Sequence, residues 1–269
     1  MLAGAVRTYI NRYAALPGQR AIVMTNNDDA YRTGIALHDA GARVSITDLR
    51  AKPSGALVRA ATDAGIEILA GHAVIAAYGN HRVARVEIAP VDDTAATISG
   101  DIIHRDCDII AMSGGLSPAV HLHSQARGKL QWDDKKLCFK PSTTHEASCN
   151  AGAGNGTFDL ASAIKEGIRC GARAASAAGF KNIIADSPSV AMPKQSWTPL
   201  AAWKIPDGHA EGAGPKAFVD FQNDVTANDV GLAAREGYQS VEHLKRYTTV
   251  GMGTDQGKTS NINALAILA

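Results

Sequence analysis

The sequence predicts an α/β protein in which a doubly wound parallel sheet is followed by a small all-helical domain. Three observations lead there. Between residues 20 and 70, apolar extended runs alternate with amphipathic helical ones in the order strand–helix–strand–helix–strand. From 73 to 112 the extended runs become short and consecutive, a meander that leads into a last apolar strand. Beyond residue 217 the pattern changes to short helices punctuated by glycine. With 45% hydrophobic and 20% charged residues the chain can build an ordinary globular core. A net charge of +1 offers no field for nucleic acid or an anionic membrane, so neither is an expected partner.

The elements follow in order. Residues 1–18 read as an amphipathic helix closed by Pro17-Gly18, and Arg20–Asn26 as a buried strand. Helix 28–40 buries Ala30, Tyr31, Ile35 and Leu37 and stops at Gly41. Strand 43–48, helix 54–64 and strand 66–70 complete the alternation. His81–Ile88, Ile102–Arg105 and Cys107–Ser113 read as strands, with a hairpin turn at Gly79-Asn80. The last of these runs into the small-residue turn Gly114-Gly115. A second glycine-rich turn, around Asn155-Gly156, precedes a long helix of small residues reaching 175. Residues 186–215, with Trp197, Trp203 and a run of glycines, read as a connector.

The C-terminal stretch divides more finely. Thr226 can cap a helix whose apolar face is Val230, Ala233 and Ala234, and Ser240 can cap a second with Val241, Leu244 and Tyr247. The loop Gly251–Thr259 then opens onto a third helix. Its glycines expose N–H groups, Lys258 adds charge, and Thr254, Gln256 and Thr259 add hydrogen-bonding groups, a setting for an anion or a flavin phosphate.

Other chemistry is sparse. Four cysteines (Cys107, Cys138, Cys149, Cys170) stand apart without C-x-x-C spacing and read as buried or incidental thiols of a reducing compartment. No signal-peptide pattern or membrane-length apolar run stands in the sequence, so a cytoplasmic location is expected. His121 and His123 are two apart, which suits packing rather than metal ligation. The first strand–helix turn is Thr25-Asn26-Asn27-Asp28-Asp29-Ala30, with no glycine at any place where a dinucleotide-binding turn has one. Its carboxylates favour the helix but repel phosphate, so the turn reads as structural, although Asp48 lies where an acid would meet a ribose hydroxyl.

Val225-Thr226, Leu244-Lys245-Arg246, Gly251-Met252-Gly253 and Gln256-Gly257 resemble the small two-iron, two-sulfur domain of the bacterioferritin-associated ferredoxin family. The four cysteine places of that family hold Asp220, Gln222, Asp255 and Ser260, so no iron–sulfur cluster is expected. The runs VDFQNDVT and KRYTTVGMGTDQGKTSN, together with TNNDDAY, resemble the alpha-subunit family of heterotetrameric sarcosine oxidase. The layout before them is similar to the Rossmann-like FAD/NAD(P)-binding domains of flavoprotein reductases.

That resemblance implies a division into a Rossmann unit (1–103), half of an FAD/NAD-binding domain (104–189), a connector (190–215) and a cysteine-free helical module (216–269). It implies a fragment lacking an upstream dinucleotide-binding half and a downstream aminomethyltransferase-like domain. It also implies the oxidation of sarcosine to glycine with formation of hydrogen peroxide and 5,10-methylenetetrahydrofolate, within a complex of alpha, beta, gamma and delta subunits. NAD would sit in alpha, FMN at the alpha–beta contact and FAD on beta, with catalytic residues on another subunit. The cofactor-binding residues implied are Arg246, Thr249, Thr254, Asp255, Gln256, Lys258, Thr259, Gly114, Gly115, Asn155 and Gly156. Two alternatives stay open: a related amine dehydrogenase or pyridine nucleotide–disulfide oxidoreductase-like flavoprotein, and a non-catalytic scaffold subunit.

Overall fold

The computed structural model describes residues 1–181, 185–191, 198–209 and 213–269. They form two compact units, one of Met1–Pro53, Ala60–Gly114 and Leu200–Ala269, the other of Ser54–Arg59 and Gly115–Pro199. Part of the expected connector, with Trp197, lies outside the described residues.

The first unit is built on four parallel strands. β1 (Arg20–Thr25) is central because five consecutive residues from Ala21 to Thr25 are buried, as a strand covered on both faces requires. β2 (Arg43–Asp48) and β3 (Glu67–Ala70) add on one side and β7 (Ile109–Ser113) on the other, giving the order β3-β2-β1-β7. Thr25 is level with both Asp48 and Ser113, so three strand ends meet at one edge. The chain leaves β1 for β2 on one side and later returns to β7 on the other. This is the topological switch point of a doubly wound sheet. α2 (Asp29–Asp39) buries Ala30, Tyr31, Thr33, Gly34 and Leu37, and α3 (Ala56–Asp63) buries Ala61.

β4 (His72–Tyr78), β5 (Arg85–Pro90) and β6 (Ile103–Asp106) form the expected antiparallel meander. β5 begins at Arg85 rather than His81, because Gly79 approaches the Arg82 backbone too closely for any side chain and the turn is longer than two residues. The first helix, α1 (Ala3–Tyr13), also stops short of Pro17. Ala14 takes the left-handed conformation, and the N–H groups of Ala14 and Ala15 close back on Ile10 and Tyr9.

Residues 217–269 have a core of their own, formed by Val219, Val225, Ala227, Val230, Ala233, Leu244, Val250 and Ala264. The all-helical expectation is corrected here. A two-stranded antiparallel hairpin, β10 (Phe218–Asp220) with β11 (Val225–Thr226), precedes the helices, because Val219 and Val225 reach the same core from either side of a tight turn. α6 (Ala227–Arg235) starts at a full capping box in which Thr226 and Asp229 exchange hydrogen bonds. α7 (Val241–Thr248) is capped by Ser240 and buries Leu244, and α8 (Asn261–Leu268) buries Ala264. Tyr238 and Tyr247 stack 4.5 Å apart, and the Tyr247 hydroxyl donates to Glu236 at 2.6 Å, which sets α7 against the end of α6.

The second unit contains α4 (His121–Gln125), a hairpin of β8 (Leu130–Asp133) and β9 (Cys138–Pro141), a 3-10 turn (Gly152–Asn155) and the long helix α5 (Leu160–Ala177). The hairpin was not expected from sequence. The charged run Asp133–Lys136 hides a turn that Trp132 and Phe139 fasten edge-on at 5.0 Å. His123 is buried, with Nε2 against the Lys129 carbonyl (2.9 Å) and Nδ1 against the Asn150 amide (3.0 Å), so both ring nitrogens serve packing.

Candidate functional site

The edge where β1, β2 and β7 end is the usual ligand crevice of such a sheet, and here side chains close it. Asp48 is fully buried. It accepts hydrogen bonds from the Tyr31 hydroxyl (2.8 Å) and from the Arg50 N–H (2.9 Å), Nε (3.0 Å) and Nη2 (2.7 Å). Arg50 Nη1 reaches on to Asp28 at 2.7 Å. Burial, then the neighbouring Asp48 carboxylate, pushes the Tyr31 hydroxyl far above its ordinary range. Burial disfavours the Arg50 charge, but its bonds to Asp48 and Asp28 outweigh this and keep it protonated. Asp48 thus has both oxygens engaged and none left for a ribose hydroxyl.

The turn above it is equally occupied. Asn26 Nδ2 donates to the Gly114 carbonyl (3.2 Å) and the Leu200 carbonyl (2.7 Å), and the Leu200 N–H returns a bond to the Asn26 carbonyl at 3.1 Å. Asn27 Nδ2 donates to Ser113 O and Oγ at 3.2 and 3.1 Å. Leu200, Ala202 and Ile205 then pack on Met24, Leu49, Ile75 and Val91. A dinucleotide does not fit these residues, since its diphosphate would displace Asn26 and Asn27 and meet Asp28. Sequence reasoning read the turn but missed Tyr31, Arg50 and Leu200. Arg50, two residues beyond Asp48 at a strand end, was the signal that could have revealed the ion pairs.

The second cluster lies in the C-terminal module, where the four places that resemble cysteine positions come together. Asp220 is buried and accepts from the N–H groups of Gln222 (2.9 Å), Asn223 (3.3 Å) and Gly251 (2.8 Å), with the Ser260 hydroxyl at 3.5 Å. Gln222 Oε1 accepts from Thr254 N–H (2.7 Å) and Oγ1 (2.6 Å). Asp255 accepts from Gly257 N–H (3.0 Å), Thr259 N–H (3.2 Å) and Thr259 Oγ1 (2.8 Å). The Thr259 hydroxyl first, then these N–H groups, hold the Asp255 carboxyl below the usual carboxylate range. Oxygen donors locked in such bonds do not fit an iron–sulfur cluster, which takes thiolates.

The loop between them needs its glycines. Gly251 and Gly257 have φ of 71° and 74°, and a Cβ on either would overlap the Asn261 side chain at 2.1 Å. Among the expected binding residues, Asp255 and Thr259 spend their polar groups inside the loop, Thr254 spends its own on Gln222, and Gln256 Nε2 donates to the Gly253 carbonyl at 2.9 Å. The carbonyl of Thr249, a residue in the left-handed region, accepts from Asn223 at 3.0 Å. Arg246 is exposed and 3.7 Å from Glu242. Lys258 is exposed, and among the described residues its ammonium makes no ion pair.

In the second unit, Glu166 on α5 gathers the turn that contains Asn155 and Gly156. Its carboxylate accepts from Gly152 N–H (2.9 Å), Thr157 Oγ1 (2.6 Å) and, at 3.5 Å, Asn155 Nδ2. Burial works against its charge, but these bonds outweigh it and hold the carboxyl below its ordinary range. Lys136 Nζ donates to the Gly156 carbonyl at 2.6 Å. A cleft of about 680 Å³ beside this turn is lined by Lys136, Phe158, Asp159, Lys165, Glu166 and Arg169. Gly115, in the same unit, has φ 126°. The sequence pointed to the turn but not to Glu166, the carboxylate already seated where an anion would meet the Gly152 N–H.

The four cysteines, expected as buried or incidental thiols, divide between the two kinds. Cys107 and Cys138 are fully buried, whereas Cys149 is exposed and Cys170 partly so. Among the described residues no helix is long and apolar enough to cross a membrane.

Comparison with known proteins gives three results. Residues 214–269 match the sarcosine oxidase A3 domain. The whole chain is 37% identical over 273 aligned positions to the sarcosine oxidase subunit alpha of Corynebacterium sp. (strain P-1), and 37% over 281 to that of Rhizobium meliloti (strain 1021). It spans 28% and 26% of their respective lengths. Among solved structures, T. acidophilum thioredoxin reductase aligns with a TM-score of 0.50 at 18% identity, over 64% of this chain and 56% of that one. This last likeness shows the fold, a Rossmann-like flavoprotein-reductase architecture.

Proposed function

We propose that this chain, homologous from end to end to a segment of sarcosine oxidase alpha subunits, is the binding and assembly portion of an alpha-type subunit in a flavoprotein amine oxidase. The complex would oxidise sarcosine to glycine, form hydrogen peroxide and pass the one-carbon unit to tetrahydrofolate, with beta, gamma and delta subunits as partners. Substrate chemistry and the amine-oxidising FAD fall to another subunit. The C-terminal module is read as a ferredoxin-type domain that has exchanged its cluster for hydrogen bonds. The boundaries proposed are 1–103, 104–189, 190–215 and 216–269.

The observation that carries this reading is the loop Gly251–Ser260. Its one carboxylate, Asp255, is satisfied within the loop and its Gly251 N–H is taken by Asp220, while Lys258 stays outward without an ion pair among the described residues. Lys258 and Arg246 are the groups that would hold the phosphate of an FMN at a contact with the beta subunit. The flavin, when bound, supplies electron transfer to oxygen. NAD held by alpha would use the turn of Asn155 and Gly156, where Glu166 would have to release the Gly152 N–H, rather than the closed edge of β1.

Loss of a charge-assisted hydrogen bond on Lys258→Ala is expected to cost about 1.5–3 kcal/mol, roughly ten- to a hundredfold in flavin retention. FMN content per assembled complex, with assembly checked by sizing, tests this for Lys258→Ala and Arg246→Ala. Full occupancy in both variants would reduce the loop to packing. The scaffold alternative is favoured by one observation, the filled crevice above Thr25–Ala30. FMN content per complex, counted apart from the FAD of the partner subunit, separates the two, because a scaffold holds no FMN.

A further inference from the structure

We infer that Cys149 and Cys170 form a redox-active dithiol that closes to a disulfide when a hydroperoxide oxidises it. The two thiols are placed reciprocally. Cys149 Sγ lies 3.8 Å from the Cys170 carbonyl oxygen, and Cys170 Sγ lies 3.5 Å from the carbonyl of Asn150, the residue next to Cys149. Cys149 thus rests on the Cys170 backbone and Cys170 on the residue after Cys149, and the two thiols are themselves hydrogen-bond neighbours, which brings the pair within reach of one S–S bond. Cys149 is exposed and Cys170 partly so, whereas Cys107 and Cys138 are fully buried. Access thus singles out this pair for oxidation.

The roles of the two sulfurs differ. Cys149 is the exposed sulfur and meets the hydroperoxide first, while the neighbouring Cys149 thiol, followed by burial, pushes the Cys170 thiol up. The Cys149 thiolate takes the terminal oxygen of the hydroperoxide, the O–O bond breaks, and water or an alcohol leaves, giving a sulfenic acid. Cys170 then attacks the Cys149 sulfur, the S–O bond breaks, and water leaves. Two thiols are oxidised and one hydroperoxide is reduced, so the step balances without a further reactant.

The bridge would act on a defined element. Cys170 stands four residues beyond Glu166 on α5, hence on the same helix face. Glu166 already fastens Gly152 and Thr157 from that face. A disulfide from Cys170 to Cys149 would hold the Gly152–Asn155 turn covalently where it is now held by hydrogen bonds. Oxidation would stiffen the turn without moving it.

The test treats the reduced full-length protein with one equivalent of hydrogen peroxide, blocks free thiols and maps the peptides. The expected result is loss of both the Cys149 and Cys170 thiols, a bridge that fragmentation assigns to those two residues, and recovery of both on adding dithiothreitol. In Cys170→Ser, Cys149 should accumulate as a sulfenic acid trapped by dimedone, and in Cys149→Ser, Cys170 should remain a thiol. Conversion of wild-type Cys149 to sulfinic acid without a bridge, or a bridge to Cys107 or Cys138, would overturn the inference.

Discussion

At the scale of single residues, two carboxylates hold the C-terminal loop in place. Asp220 is the acceptor shared by three backbone N–H groups, and Gly251, one of the donors, is itself buried. Asp220→Ala should cost about 1–3 kcal/mol, because a buried donor left without an acceptor carries its full desolvation penalty. Chemical denaturation of the variant measures this, and an unchanged midpoint would show that water replaces the carboxylate freely. Asp255 gives a dependence on pH. Its folded pKa is depressed, so its contribution is present above the unfolded value of about 4 and is lost as pH falls through the lower folded value. The protection of the Gly257 and Thr259 amides, taken against the intrinsic exchange rate at each pH, should therefore fall on acidification below pH ~4, and Asp255→Asn should flatten that response. These roles were half legible in the sequence. Resemblance located the four positions, but only the fold shows Asp220 reaching Gly251, thirty-one residues away.

At the scale of elements, local rules served where the chain was long and periodic. β1, α2 and β2 lie within a residue or so of where their apolar spacing put them. The cap on α6 was legible too, and it yields a prediction. Thr226→Ala removes the capping hydroxyl and should lower stability by about 1 kcal/mol, read from the denaturation midpoint. A shift of zero would mean that Asp229, which also bonds the Thr226 N–H, holds the helix start without it. Elements fixed by a few tertiary contacts were not legible. β8 and β9 are four residues each and are joined by one aromatic pair and the Lys140–Asp133 ion pair, while β10 and β11 are shorter still. α1 ends by a left-handed alanine that no breaker residue announces.

For the whole molecule, the closed sheet edge limits what the Rossmann unit can hold at the end of β1. The altered turn was plain in the sequence, but Leu200 arrives there from 174 residues beyond Asn26, a distance over which no local pattern carries information. Asp48→Asn should break a buried ion pair at a cost of about 3–5 kcal/mol. Nucleotide content of the complex should stay unchanged once thermal unfolding is accounted for. NAD lost at full stability would instead place its ribose on Asp48. The loop joined by Asp220, Gln222 and Asp255 has a consequence of another kind. A loop organised by a metal gains stability as RT ln(1 + [M]/Kd), and forfeits it when the metal runs short. Here the hydrogen bonds that fasten the loop are translated along with the chain, so no metal concentration enters the fastening of Asp220, Gln222 and Asp255. Copies made during iron starvation should be as durable as copies made in plenty.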